Sequence, residues 1–303
     1  MKSFKTISAI LDGKWMLDKN WASNHLPLVL MLLQGKEVSF VERSGNEQME
    51  KPFCVDPCTG NRYELYIYNP MSDRMVPNPN IPPNSVGVIP INGPITKYNG
   101  SCGIPGGISM ATTLMQILKT DNIGSIIQLI DTPGGESCAA NNYCAIADAA
   151  SKPILTYVNG RCASLGMMFA SCGKETYLSN ELDQMGSIGS YCSFLDFSGY
   201  LEKEGIKLHE IYAPQSIDKN KNYKDAIQGD YSAIEEDLRI GVQAFIGYVA
   251  QSRNGKAAAS IDEWKTGKMF YAKDAIKIGL ADGVKPFDQV VSKAAWLAKR
   301  NKN

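Results

Sequence analysis

The sequence predicts an α/β fold, a parallel sheet with flanking helices, preceded by an N-terminal extension. Three observations carry this. From residue 82 onward, short apolar runs that read as strands alternate with segments of helical spacing, the pattern of strand-helix-strand units. Three of the strand-like runs lead into loops rich in small residues, DTPGGE, GRCASLG and MGSIGS, and in parallel sheets the chemistry sits in the loops at the carboxyl ends of strands. Before residue 82 the pattern is missing: residues 69–84, NPMSDRMVPNPNIPPN, hold five prolines and read as a linker or a surface-hugging arm. The expected division is therefore 1–81, extension and linker, and 82–303, the α/β domain.

The elements follow in order. A helix is expected around Asn24 to Leu33, within the extension. Val86 to Ile91 is a strand, for which Pro90 suggests an edge or terminal position. Ser109 to Lys119 has helical spacing at Met110, Leu114, Ile117 and Leu118, with Ser109 as its cap. Ser125 to Ile130 is a buried strand running into Asp131-Thr132-Pro133-Gly134-Gly135. A helix over 137–150 and a strand over Ile154 to Val158 come next, then the Ser164 helix, a strand at Glu175 to Leu178 and the loop 185–189. Leu208 to Ala213 (LHEIYA) reads as a further strand, and Ile234 to Arg253 as a long amphipathic helix.

Composition narrows the function. Lys plus Arg and Asp plus Glu number 31 each, a balance that argues against a nucleic-acid module or a polybasic membrane patch. The best apolar run, LPLVLMLL, is well short of the roughly 20 residues that cross a bilayer. The N-terminus lacks the apolar core of a signal peptide. A soluble, cytoplasmic protein without a membrane anchor is expected. Cys54 and Cys58 form a C-x3-C pair with no second Cys/His pair nearby, so neither metal nor cofactor is expected, and the eight cysteines read as thiols of a reduced compartment.

Ser164 stands at the centre of VNGRCASLGMMFASCG, where a strand is expected to turn into a helix. A serine hydroxyl becomes a nucleophile only with a nearby base and donors for the developing oxyanion; otherwise Ser164 is a small residue packing a tight helix start. Gly134 and Gly135, free of side chains, can turn N–H groups outward as such donors, and Leu165 supplies another N–H. The chain has only two histidines, His25 in the extension and His209 in the LHEIYA run, so a Ser-His-Asp triad is not expected. A lysine is the natural substitute. Its pKa must fall from about 10.4 by roughly 3 units, which desolvation can supply, and the polar run 218–224 after LHEIYA offers candidates.

Residues 86–284 resemble peptidase family S49, the signal peptide peptidase A and phage capsid-protease group, with its ClpP/crotonase-like fold. The resemblance rests on GVIPINGPI, LIDTPGGE, VNGRCASLGMMFAS, MGSIGS, the lysine segment, AFIGYVAQSR and WKTGKMFYAKDAIKIGLADGV, in that order. It implies a Ser-Lys dyad with Ser164 as nucleophile, Lys219 as base with Lys224 as rival, and Ser187 orienting the lysine. It also implies a homo-oligomer in which the long helix helps protomers associate. Two positions depart from the family pattern: Glu136 where a small residue is common, and Leu165 where glycine is.

The extension, a Trp-containing segment followed by LPLVLMLL, is similar to that of phage members. A phage or prophage head-maturation protease is therefore expected, cleaving scaffold or capsid protein in the host cytoplasm or prohead. A soluble bacterial enzyme acting on signal-peptide remnants is the alternative within the family. Outside it stand a crotonase-type acyl-CoA enzyme, whose backbone amides need no serine, and a non-catalytic assembly factor.

Overall fold

The computed structural model describes the backbone of residues 14–17 and residues 50–301 other than 70, 101–103, 195, 197, 254, 258 and 259; the expected helix at Asn24–Leu33 and His25 lie outside them. At its centre is a nine-stranded, largely parallel sheet. β6 (Ser85–Asn92), β7 (Ile123–Thr132) and β9 (Ile154–Ala163) run parallel in its middle, with β11 (Gln184–Gly186) parallel to the end of β9 and β10 (Thr176–Leu178) parallel to its start. β13 (Met269–Tyr271) pairs antiparallel with β11, and β14 (Gly283–Val284) lies parallel beside β10.

On the other side β2 (Phe53–Val55) pairs antiparallel with β6, and β3 (Arg62–Glu64) antiparallel with β2. These two strands precede residue 82, so the main sheet draws on both sides of the expected boundary. β4 (Tyr66–Asn69) and β5 (Arg74–Pro77) form a separate hairpin ladder, while Leu65 and Ile81 on either side of it are buried in the core. A third sheet joins β1 (Lys14–Leu17), β8 (Gly134–Glu136) and β12 (Tyr191–Cys192).

The sheet is covered on both faces, as parallel sheets require. Val86, Val88, Ile127 and Leu155 face the C-terminal helix α9 (Phe287–Asn301) through Val290, Val291, Ala294 and Ala295. The opposite face, with Ile89, Ile91, Ile126 and Ile130, packs under α1 (Gly107–Lys119), α2 (Asn141–Asp148), α3 (Leu165–Ser171) and the long α6 (Ser232–Ser252). The remaining helices are short: α4 (Ser198–Lys203), α5 (Lys221–Ile227), α7 (Ile261–Trp264) and α8 (Ala272–Lys277).

Three expectations change. Pro90 lies within a central strand, but β2 ends at Phe53 opposite Val88, so the edge that the missing N–H would serve has no partner strand there. Ser109 does not cap α1; the N-cap is Gly106, and the Ser109 hydroxyl donates to Asn99 Oδ1 at 2.6 Å. LHEIYA forms no strand: Leu208 and Ile211 are 73% and 95% exposed, and alternation without a neighbouring strand to bond leaves the segment without a ladder.

A buried ion network ties α6 to the sheet. Arg253, 3% exposed, donates from Nη2 to Asp282 Oδ2 at 2.9 Å and from Nε to the Gly279 carbonyl at 3.0 Å. Asp282 also accepts the Thr176 N–H at 2.7 Å and pairs with Lys256. Burial alone would raise the Asp282 pKa, but Lys256, Arg253 and the Thr176 N–H outweigh it and hold the carboxyl below the usual carboxylate range. Removing Arg253 strands a half-buried carboxylate, so Arg253→Ala should lower stability in urea by about 3–5 kcal/mol. For a lowered pKa the stabilisation is present above the unfolded value of about 3.9 and disappears as pH falls through the folded one. Acid titration of the parent protein should therefore lose stability below about pH 4, and Asp282→Asn should flatten that loss.

Candidate active site

β9 delivers Ser164 to the carboxyl end of the sheet, as the first residue past the strand and the N-cap of α3. Its backbone is left-handed, φ 52° and ψ −118°, a conformation that costs a non-glycine residue roughly 1–3 kcal/mol. Two hydrogen bonds hold it: the Ser164 N–H donates to the Gly186 carbonyl, and the Met167 N–H donates to the Ser164 carbonyl, both at 2.8 Å. The residue is 1% exposed, and its hydroxyl makes no capping bond to α3. Leu165 opens α3, so its N–H has no intrahelical acceptor.

Ser187 is the counterpart on the next strand. The β9/β11 register pairs Ala163 with Gly186, so Ser164 and Ser187 each follow a paired residue on adjacent strands, whose backbones run about 4.8 Å apart. Ser187 is also left-handed, φ 53°, with its N–H donated to the Lys268 carbonyl at 2.8 Å.

The Pro-Gly-Gly corner closes the third side, where α3 packs against β8. Its two glycines differ. The Gly134 N–H is already donated to Thr132 Oγ1 at 3.1 Å, and that hydroxyl donates to the Gly93 carbonyl at 2.6 Å. Ile95 bonds the residues on either side of Gly135: its N–H donates to the Gly134 carbonyl at 2.9 Å, and its carbonyl accepts the Glu136 N–H at 2.8 Å. Because backbone groups alternate between strand edges, the N–H and C=O of Gly135 face the opposite edge. A Cβ on Gly135 would stand 1.9 Å from the Ile95 carbonyl oxygen, so only glycine permits this approach. Glu136 has a structural task, accepting the Lys97 N–H through Oε2 at 2.6 Å.

The expected nucleophile, its neighbouring serine and the expected oxyanion donors thus share one corner, but neither lysine hydrogen-bonds to Ser164 or Ser187 within the chain. Lys219 is exposed, in the turn before α5. Lys224, half-buried in the last turn of α5, places Nζ 3.7 Å from the ring centroid of Tyr212. His209 is exposed. Thr132, Gly93 and the Lys268 carbonyl shape the corner without a signal in the linear sequence, since their roles are long-range backbone contacts. Between β12 and α5–α6 lies a cleft of about 440 Å³ lined by Ser193, Phe194, Tyr231 and Leu238 among others.

Residues 146–301 match Peptidase family S49. A putative protease of Methanocaldococcus jannaschii is 24% identical over 182 residues, which are 59% of this chain and 58% of that protein. Protease 4 of Salmonella typhi is 26% identical over 246 residues, 80% of this chain and 38% of that protein. Capsid assembly protease C of Escherichia phage lambda is 25% identical over 215 residues, 66% of this chain and 46% of that protein. The chain therefore spans between 38% and 58% of these relatives' lengths.

Strain at Ser164 has a measurable sign. Ser164→Gly should raise stability in urea by up to about 1 kcal/mol, because the relieved strain exceeds the added entropy of the unfolded chain. Ser164→Ala, which keeps a Cβ in the same backbone, should give no such gain.

Proposed function

The chain belongs to peptidase family S49, and from that premise we propose that it is a serine endopeptidase using a Ser-Lys dyad. The observation that carries the reading is the Ser164 corner: a buried hydroxyl on a strained strand-to-helix turn, between the opening N–H of α3 and the Gly134-Gly135 corner. In this reading Ser164 attacks a peptide carbonyl, the N–H groups of Leu165 and Gly135 stabilise the oxyanion while that of Gly134 stays with Thr132 Oγ1, and Ser187 orients the lysine.

The lysine comes from a neighbouring copy of the chain. Two observations favour this: neither Lys219 nor Lys224 bonds to Ser164 within one chain, and the segment that carries them exposes Ile206, Leu208, Ile211 and Ile217 by 55%, 73%, 95% and 78%. An apolar stretch of that kind marks a protein-protein contact, and burial against a second protomer would supply the desolvation that makes an amine a base. The active form is thus a homo-oligomer.

The substrate class is protein. The similarity to capsid assembly protease C supports a phage head-maturation role, cleaving scaffold or capsid protein in the host cytoplasm or prohead, and the similarity to protease 4 keeps a bacterial peptide-degrading role as the second reading. Among the described residues no helix is long and apolar enough to cross a membrane.

A fluorophosphonate should form one covalent adduct, at Ser164; an acyl-CoA enzyme or an assembly factor gives none. Of Lys219→Ala and Lys224→Ala, one should cut peptidase activity by about a thousandfold or more and leave the unfolding transition in place. Mixing that variant with Ser164→Ala should restore part of the activity, because a mixed assembly pairs an intact serine with an intact lysine; a strictly intramolecular dyad recovers none. Incubation with phage capsid and scaffold proteins should yield discrete cleavage, and with synthetic signal peptides much slower turnover. The opposite preference favours the bacterial role.

A further inference from the structure

β1 is the middle strand of the three-stranded sheet and runs antiparallel to both neighbours. Lys14 pairs with Cys192 and Trp15 with Tyr191 on one side; Trp15 pairs with Glu136, Met16 with Gly135 and Leu17 with Gly134 on the other. Both flanking strands belong to the candidate site. β8 is the glycine corner itself, and β12 begins four residues after Ser187. β8 and β12 do not pair with each other, so they border a slot one strand wide, with backbone donors and acceptors on both edges and Gly134 at one end.

Such a slot takes an extended peptide by its main chain, largely regardless of side chains. The outward edge of Gly135, left unused by Ile95, is the edge that β1 pairs with. A substrate strand and β1 would need the same groups of β8 and β12, and only one can have them.

We propose that the slot between β8 and β12 is the site for the substrate strand, and that residues 14–17 occupy it as an intramolecular pseudosubstrate. The proposal rests on the peptidase reading above. An incoming peptide exchanges one set of ladder hydrogen bonds for another, so the enthalpy of pairing nearly cancels. What remains is the advantage of a competitor carried on the same chain, which binds without a loss of translational freedom to a second molecule. Peptides that bind weakly are held off, and an extended segment presented at high local concentration displaces β1 and reaches Ser164. An assembled array of identical subunits is a substrate of that kind.

The test uses the full chain with Met16→Pro. Proline has no N–H and does not fit a strand paired on both sides. The variant should turn over an extended, internally quenched fluorescent peptide on the order of tenfold faster at subsaturating concentration, the effect of losing one or two ladder bonds. Its Ser164 should react faster with fluorophosphonate, and the amides of Gly135 and Tyr191, the residues whose N–H groups face β1, should exchange hydrogen faster. A synthetic peptide DGKWMLDK, residues 12–19, should restore inhibition of the variant by raising KM with kcat unchanged. Leu17→Pro is the second variant should Met16→Pro lose cooperative unfolding. Equal turnover and equal labelling in parent and variants, with Ser164 reactive in all, overturns the pseudosubstrate and leaves the peptidase standing. No labelling and no turnover in any of them overturns the peptidase reading, and the pseudosubstrate with it.

Discussion

The left-handed turn at Ser164 is the constraint on which the rest of the site depends. A residue with a Cβ rests there only because its surroundings over-determine it: β9 is laddered to β7 on one side and β11 on the other, the Gly186 carbonyl takes the serine N–H, and the first turn of α3 takes its carbonyl. The central strands are buried on both faces, and the strain is small against the apolar area they remove from water. The same device recurs one strand over at Ser187, anchored to the Lys268 carbonyl on the segment leading into β13.

Around this turn, close approach of backbone to backbone does most of the shaping. Gly135 lies against the Ile95 carbonyl at a distance that no side chain allows, and Thr132 pins both Gly134 and Gly93 through one hydroxyl. These contacts aim one edge of β8 away from the main sheet. That edge, together with β12, is the natural place for an extended chain, and β1 lies in it. A rigid parallel sheet thus holds Ser164, and a small antiparallel sheet beside it holds β1.

Stability and the proposed chemistry rest on different groups. The Arg253–Asp282 network lies where α6, β10 and β14 meet, and it works by satisfying buried charge. The segment with Lys219 and Lys224 contributes little to the core: Ala226 is its buried residue in α5, and several apolar side chains before it face outward. Within one chain Lys219 is exposed and Lys224 half-buried, which fits the proposed completion of the base by association.

The sequence by itself determined the α/β class, the order of the central strands and helices, and the corner residues Ser164, Ser187 and Gly134-Gly135. Apolar periodicity, glycine at strand ends and the scarcity of histidine are local properties that survive in a linear string. It placed Ser109 and LHEIYA wrongly because a cap and a strand each need a partner that the string does not display. Only the tertiary structure decided that strands before residue 82 belong to the main sheet, that Gly134 and Gly135 differ in where their N–H groups point, that Glu136 serves Lys97, and that residues 14–17 lie beside the glycine corner. Each of these is a pairing between residues far apart in sequence, and a hydrogen bond's direction is fixed only when both partners have their places.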